Sequence, residues 1–413
     1  MMKLYLVIFF LLSSELFAQK LTLDDAIKRA LNTHPDIKRF ILQVNKSSKG
    51  VDVARADYLP QIGLNAEYDP IRTYVLPANG VFNTKDEDGY TVGATLHQKI
   101  WDFSKTTSNI DAQKESIEIA KLSLIDAKAF LAYKVKLQYE LIKVQRAAMQ
   151  VRIKDLQVKE ELYKQAQALV KQGMKTNADA TRFLSSFYIA KDNFAISKAS
   201  FDKARNRLSI YINENIAPDV ELESDGFKSK VSMDEQSIVS SSPSLKALQK
   251  GIQKSNLEYK SVKASHYGSL DALASYTKQN TLNEYDSSLV GITLYVPLYS
   301  GGRTSALVEQ AEINRQSAKA EYDSKALALR EEISSLLIDI KRYEKTISAK
   351  NAQLEAASQT TDLLNARYKE GLTTYIEVLD AMALKLDAQL GLLSAEYEKS
   401  SAIHRLEYLE GKI

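Results

Sequence analysis

The chain contains no cysteine, which excludes disulfide staples, thiolate metal sites, Cys nucleophiles and lipid attachment through an N-terminal Cys. No excess of charge of either sign is present: 55 Lys and Arg face 52 Asp and Glu, for a formal net charge of +3. Lysines and glutamates alternate along helical faces instead of gathering in a basic patch, so nothing argues for a nucleic-acid partner. The four histidines, His34, His97, His266 and His404, are scattered without partners at metal-ligand or triad spacing, and each reads as a loop, strand or turn residue. Gly301-Gly302 is not followed by the Gly-Lys-Ser/Thr of a phosphate loop. No catalysis and no cofactor is called for. After the first residues there is also no apolar run long enough for a transmembrane helix.

Those first residues do carry a signal. Met1-Met2-Lys3 precedes an apolar run from Leu4 to Leu12 and a short polar stretch ending at Phe17-Ala18-Gln19. This is the order of a secretory signal peptide over residues 1–18, with cleavage expected after Ala18.

The strongest feature of the remainder is an internal duplication. Gln172-Gly173-Met174-Lys175-Thr176-Asn177-Ala178-Asp179 matches Glu370-Gly371-Leu372-Thr373-Thr374-Tyr375-Ile376-Glu377, at an offset of 371 − 173 = 198. The same offset pairs Gly93 with Gly291 and Trp101 with Tyr299. Nearer the start, Pro35 pairs with Pro243 at an offset of 208, so the first half carries about ten extra residues between Asp69 and Gly89; they read as a loop insertion. The repeats are 19–212 and 243–413, joined by a connector over 213–242 that contains Pro218, Gly226 and many acidic and Ser residues.

Each half has the same order of elements. A helix opens it, marked by Leu23, Ala26, Ile27, Ala30 and Leu31 in one copy and Leu245, Leu248 and Ile252 in the other. Two alternating segments follow, with Ile62, Leu64, Ala66 and Tyr68, then Tyr90, Val92, Ala94 and Leu96, on one face. The second copy has a weaker run from Leu270 to Thr277 and a strong one at Val290, Ile292, Leu294 and Val296; period two predicts strands. Ser104 to Lys171 and Arg303 to Glu370 contain neither Gly nor Pro and predict uninterrupted helices, each a rod on the order of 100 Å long at about 1.5 Å per residue. Heptads run along them: Val135, Ile142, Met149, Leu156, Tyr163 and Val170, and Ile333, Ile340, Ile347, Leu354 and Tyr368. A second stripe on the first rod, Leu137, Val144, Val151 and Val158, lies about 200° around the helix, so that rod must be gripped from both sides. Return helices follow the glycines, marked by Phe187, Phe194, Phe201 and Leu208, and by Leu379, Leu386 and Leu393.

The expected fold is therefore mainly α with a small β part. Four strands leave two bare edges, which a bilayer does not allow, and the smallest familiar barrels need about eight strands. Three copies supply twelve. Trp101, Tyr299, Tyr295 and Tyr90 suit an aromatic girdle or packing at the strand-to-helix joints. The competing reading is a soluble coiled-coil structural or adaptor protein of the periplasm, which leaves the duplication and paired hairpins unexplained.

At this point the chain resembles the TolC family of outer-membrane efflux proteins. The resemblance is carried by Val296-Pro297-Leu298-Tyr299-Ser300-Gly301-Gly302-Arg303, by Tyr368-Lys369-Glu370-Gly371 with Ile376-Glu377-Val378-Leu379-Asp380-Ala381, and by the opening Leu21-Thr22-Leu23-Asp24-Asp25-Ala26. It implies a homotrimer with a twelve-stranded barrel in outer-membrane lipid and a periplasmic helical tube. The tube's closed tip opens against a periplasmic adaptor and an inner-membrane transporter, in an efflux pump or type I secretion system. Two departures stand out. Lys99-Ile100-Trp101-Asp102-Phe103-Ser104 replaces the Pro-Leu-Tyr-Ser-Gly-Gly pattern in the first half, and Thr373 stands where some relatives carry an Arg that locks the tip.

The candidate site lies at the glycine turns, Gly173 and Gly371, which the resemblance puts at the periplasmic tip. Thr176 with Asp179 and Thr374 with Glu377 have capping-box spacing. Asp380 lies one turn beyond Glu377 on the same face, and three copies place a ring of carboxylates around a narrow entrance. By resemblance Glu377 and Asp380 fall at acidic constriction positions, and Tyr368 hydrogen-bonds across the tip or packs in its heptad.

Overall fold

The computed structural model describes residues 20–78, 80–222 and 234–413; the signal-peptide reading and residues 223–233 of the connector lie outside them. The chain begins with β1 (Lys20–Leu21), α1 (Leu23–Thr33) and α2 (Pro35–Ala56), then a hairpin of β2 (Gln61–Ala78) and β3 (Val81–Trp101). The rod α3 (Lys105–Lys171) and its return helix α4 (Asn177–Ile212) complete the first repeat. The connector holds β4 (Glu221–Leu222) and α5 (Glu235–Ser241). The second repeat has α6 (Pro243–Ala264), β5 (Ser269–Asn280), β6 (Glu284–Tyr295), α7 (Arg303–Lys369) and α8 (Tyr375–Glu410). The two rods are 67 residues each and the two return helices 36 each, so the duplication read from the glycines extends to element length.

The first half has two helices, α1 and α2, where one opening helix is expected, whereas in the second half α6 is the expected helix and α5 precedes it within the segment read as connector. Pro35 and Pro243 cause the breaks: a proline supplies a good first helical residue but pushes its predecessor into extended backbone. His34 (ψ 128°) and Ser242 (ψ 119°) have that conformation.

Two compact units share these elements. One comprises residues up to Lys38, Asp126–Ser242 and Leu329–Ile413. Within it, the heptad residues Val135, Ile142, Ile333, Ile340 and Tyr368 are buried as expected, with Phe201 and Leu208 of α4. β1 pairs in parallel with β4, and the buried Tyr139 hydroxyl donates to the Leu21 carbonyl at 2.8 Å. His404 differs from expectation. It is neither loop, strand nor turn, but a buried residue of α8 whose Nδ1 lies 3.1 Å from Glu407 Oε2, the atom that also accepts from Lys136 Nζ at 3.0 Å. Burial pushes the Glu407 carboxyl up, but His404 and Lys136 outweigh it and hold it below the usual range.

The second unit comprises Arg39–Ile125 and Pro243–Ala328. Its sheet is antiparallel in the order β2-β3-β5-β6, and the predicted alternation gives it two chemically different faces. Ile62, Leu64, Val290 and Ile292 stand on one face at 78, 79, 85 and 70 % exposure. The opposite face carries a small, polar row across all four strands, Asn65, Gly93, Thr277 and Ser287, with Leu273 and Leu289 in the rows beside it. At Gly93 the side chains of Asn65 and Thr277 close in, so that a Cβ there would sit 2.8 Å from Asn65 Oδ1 and 3.2 Å from Thr277 Oγ1 and would push them aside. Of the aromatic residues at the strand ends, Tyr295 and Tyr299 are exposed, while Trp101, half exposed, stacks on Phe103 at 4.2 Å.

The extra residues between Asp69 and Gly89 correct the sequence reading. They are not a loop. They lengthen β2 to 18 and β3 to 21 residues, against 12 each for β5 and β6, and pair across the hairpin as far as Ala78 with Val81. No helix among the described residues is long and apolar enough to cross a membrane.

Candidate functional site at the helix turns

Both rods end in the same way. Gly173 (φ 72°) and Gly371 (φ 77°) take the left-handed conformation that a chain reversal after a helix requires. Their amides donate to the carbonyls of Val170 and Tyr368, and the following amides, of Met174 and Leu372, to those of Leu169 and Arg367 at 2.9 Å each. This double closure satisfies the last carbonyls of each rod.

The return helices then start from complete capping boxes. The Asp179 amide donates to Thr176 Oγ1 at 3.3 Å, and Asp179 Oδ2 accepts from the Thr176 amide at 3.0 Å. Glu377 does the same with Thr374, accepting from its amide at 2.8 Å and its hydroxyl at 3.0 Å. Glu377 also accepts from the Thr373 hydroxyl. That hydroxyl first, then the Thr374 amide and hydroxyl, hold the Glu377 carboxyl down at about 2. Thr373 therefore fixes a carboxylate within its own turn, in the place where the resemblance puts a locking Arg.

Between the turns lies a small core of Leu162, Ala166, Phe183, Tyr368, Val378 and Met382. Tyr368 is fully buried, edge-on to Phe183 with ring centroids 5.5 Å apart. Its hydroxyl has no hydrogen-bond partner in the protomer, and burial, with the charge of Asp179, pushes its pKa up. Packing is the role visible within one chain.

Asp380 stands one helical turn beyond the capping Glu377 and takes no part in the cap. It is exposed on α8. Two cations that the sequence reading passed over belong to this site. Lys175 Nζ lies 5.3 Å from the Tyr368 ring centroid and 3.4 Å from the Thr373 carbonyl, tying the first turn to the second. Arg182 lies over the Tyr375 ring at 5.2 Å. The duplication could have found both: the offset of 198 carries Thr373 to Lys175 and Asp380 to Arg182. Among the described residues no group of three or more His, Asp or Glu side chains is placed to hold a metal ion.

Among the described residues the arrangement is one of paired turns, caps and exposed charge. The family model for outer membrane efflux proteins matches residues 26–214 and 236–412. The chain is 22 % identical to the outer membrane efflux protein BepC of Brucella suis, covering 95 % of this chain and 86 % of that protein. It is 22 % identical to the outer membrane protein TolC of Vibrio cholerae, covering 97 % and 93 %. Among solved structures, that of CusC superposes with a TM-score of 0.85 at 18 % identity, covering 95 % of this chain and 92 % of that one. The family is one of outer-membrane transport proteins, not of enzymes. On the match of both repeats, this chain belongs to the outer membrane efflux protein family.

Proposed function

We propose that three copies of this chain close a twelve-stranded barrel in the outer membrane and a helical tube in the periplasm. Together they act as the passive exit duct of an efflux pump or a type I secretion system. The observation that carries this reading is the two-faced sheet. One face exposes Ile62, Leu64, Val290 and Ile292, while the other presents Asn65, Gly93, Thr277 and Ser287. Apolar side chains toward lipid and small polar ones toward a water-filled lumen is the alternation of an outer-membrane strand. The sheet also ends in two outer strands, β2 and β6, whose free edges a bilayer allows only if copies pair edge to edge.

The helices make the same demand. On α4, Phe201 and Leu208 are buried, yet Ile189, Ile196 and Ile210 form an exposed seam at heptad spacing. A seam of this kind needs a helix of another copy. A periplasmic adaptor and an inner-membrane transporter are the proposed partners, since a duct of this composition has no energy source of its own. At the entrance, Asp380 is the proposed principal member of an acidic ring, with Glu377 and Asp179 secondary because their carboxylates are engaged in caps.

Fractionation tests the reading. The mature protein is expected in the outer membrane and, after detergent extraction, as a trimer by size exclusion with light scattering. Recovery as a monomer in the soluble periplasmic fraction refutes it.

A further inference from the structure

Beyond a certain level of the sheet, only the first hairpin continues. Tyr90 of β3 is the last residue paired with β5, opposite Asn280, and β6 begins at Glu284, also opposite Asn280. From Arg72 with Glu87 to Ala78 with Val81, β2 and β3 pair only with each other. This ribbon leaves the sheet at a β-bulge, where Pro70 and Ile71 stand against Asp88 alone. Beside the bulge, Gly89 passes so close to the β5–β6 turn that a Cβ there would lie 2.8 Å from Thr281 Cγ2 and 2.9 Å from the Asn280 carbonyl oxygen. The ribbon's turn lies at the end of the strands away from α2 and α3, on the outer side of the membrane in the duct proposed above. A lone two-stranded ribbon in water is marginally stable, and its two free edges and any exposed apolar surface need cover.

The pairing register sorts the ribbon's side chains by face. Thr73 with Asp86, Val75 with Thr84, and Pro77 with Phe82 share one face; Arg72 with Glu87, Tyr74 with Lys85, and Leu76 with Asn83 share the other. Ile71 of the bulge is exposed, but from Arg72 to Tyr74 the paired positions on both faces carry polar or charged groups. Thr73 Oγ1 donates to Asp86 at 2.6 Å, and Lys85 pairs with Glu87. At the far end both faces turn apolar: Val75 and Phe82 are 60 and 75 % exposed on one, and Leu76 and Val81 are exposed on the other.

We propose that the ends of three such ribbons, one from each copy, pack against each other over the outer mouth of the channel and form an apolar cap. The proposal rests on the trimeric-barrel reading. A ribbon standing near a threefold axis has a copy on each side, so it needs apolar residues on both faces at its end and none along its stem. A ribbon lying flat on lipid needs them on one face only. The reach is sufficient: twelve strands about 4.8 Å apart and tilted about 40° enclose a radius of about 12 Å. The strand from Arg72 to Ala78 spans about 24 Å at ~3.4 Å per residue. The ribbon also grows from β2, an outer strand of the sheet, and so continues the edge at which copies join. A constriction lined by Val75, Leu76 and Phe82 resists wetting while closed and conducts when the ribbons part.

The absence of native cysteine makes single substitutions direct reporters. In outer membranes, Phe82→Cys and Leu76→Cys, on opposite faces, are each expected to give cross-linked dimers on mild oxidation, with one copy per trimer left over. Thr73→Cys in the polar stem is expected to stay monomeric on the denaturing gel. Phe82→Asp, which places a charge in each contact, is expected to raise single-channel conductance. If trimers confirmed by size exclusion cross-link at neither Phe82→Cys nor Leu76→Cys, the cap is wrong while the channel stands. Cross-linking at Thr73→Cys as efficient as at the tip also overturns it, because the ribbons then collide without a defined apolar contact. Failure of the parent protein to form trimers removes the channel reading itself, and the cap with it.

Discussion

Phe103 and Ser104 adopt left-handed backbone, with φ of 55° and 72°, where the second repeat has Gly301 and Gly302 at 62° and 81°. The turn from strand to rod is therefore the same in both halves, although only one half has the residues that adopt it without cost. For an L side chain that region costs about 1–2 kcal/mol per residue. Phe103 offsets part of the cost by stacking on Trp101, and Asp102, buried beside it, caps the rod by accepting from the Thr106 amide at 3.0 Å and from the Tyr58 hydroxyl at 3.0 Å. The sequence marked this turn as atypical but did not predict that its backbone is kept. At the tip, by contrast, both capping boxes were legible, because a cap is written in residues three apart and needs nothing from the rest of the fold. Their electrostatics give a test. The Glu377 carboxyl lies at about 2, down from 4.5, so its charged form is favoured by folding. That contribution is fully present above about pH 4.5, and is lost as pH falls toward about 2. The protection of the amides at the start of α8, taken relative to the intrinsic exchange rate at each pH, is therefore expected to fall over that window. In Glu377→Gln, whose amide oxygen still caps but cannot titrate, the acid-dependent part is expected to disappear; an identical acid response in both proteins shows that the carboxylate is not held by these bonds.

Elements were legible to the degree that their signal is periodic and continuous. The rods were readable because sixty-odd residues without Gly or Pro leave no other regular structure, and Lys105–Lys171 and Arg303–Lys369 differ from expectation by a single residue at one end of each. The ribbon was not readable. Its bulge shifts the alternation by one, Pro70 and Pro77 imitate loop punctuation, and side chains that are apolar on both faces at one end and polar on both at the other carry no period of two. The opening helices are read from markers on one side of each proline only, Leu23 to Leu31 before Pro35 and Leu245 to Ile252 after Pro243, which leaves α2 and α5 out of the reading. For the rods, continuity is itself a mechanical claim. Proline at Met149 or at Ile347 removes a hydrogen bond and clashes with the preceding turn, at about 3 kcal/mol or more, whereas alanine at the same positions preserves the helix. Circular dichroism and trimer recovery should separate the two substitutions at each site. Equal stability of the proline and alanine variants would mean that the rod is already broken there.

At the scale of the whole assembly, threefold symmetry turns single side chains into rings, and what one chain leaves exposed becomes informative. Asp380 is exposed on α8, one turn beyond the capped Glu377, while its counterpart in the first repeat is Arg182, drawn over the Tyr375 ring. The duplication preserved the backbone of the two hairpin turns but put an acid, Asp380, where the first repeat has a base, Arg182. In the proposed ring the three Asp380 carboxylates come together, and crowded like charges bind a multivalent cation more tightly than separate ones. Asp380→Asn is therefore expected to weaken block by trivalent cations applied from the periplasmic side in single-channel recordings, with the trimer intact. Arg182→Gln is expected to strengthen the block, since it removes a positive charge from the corresponding turn of the neighbouring hairpin. Glu377→Gln should alter block less than Asp380→Asn, because its carboxylate is already taken up by Thr373 and Thr374. Equal cation block in the parent protein and in the protein carrying both Glu377→Gln and Asp380→Asn would eliminate the ring, and leave these carboxylates as residues that only start a helix.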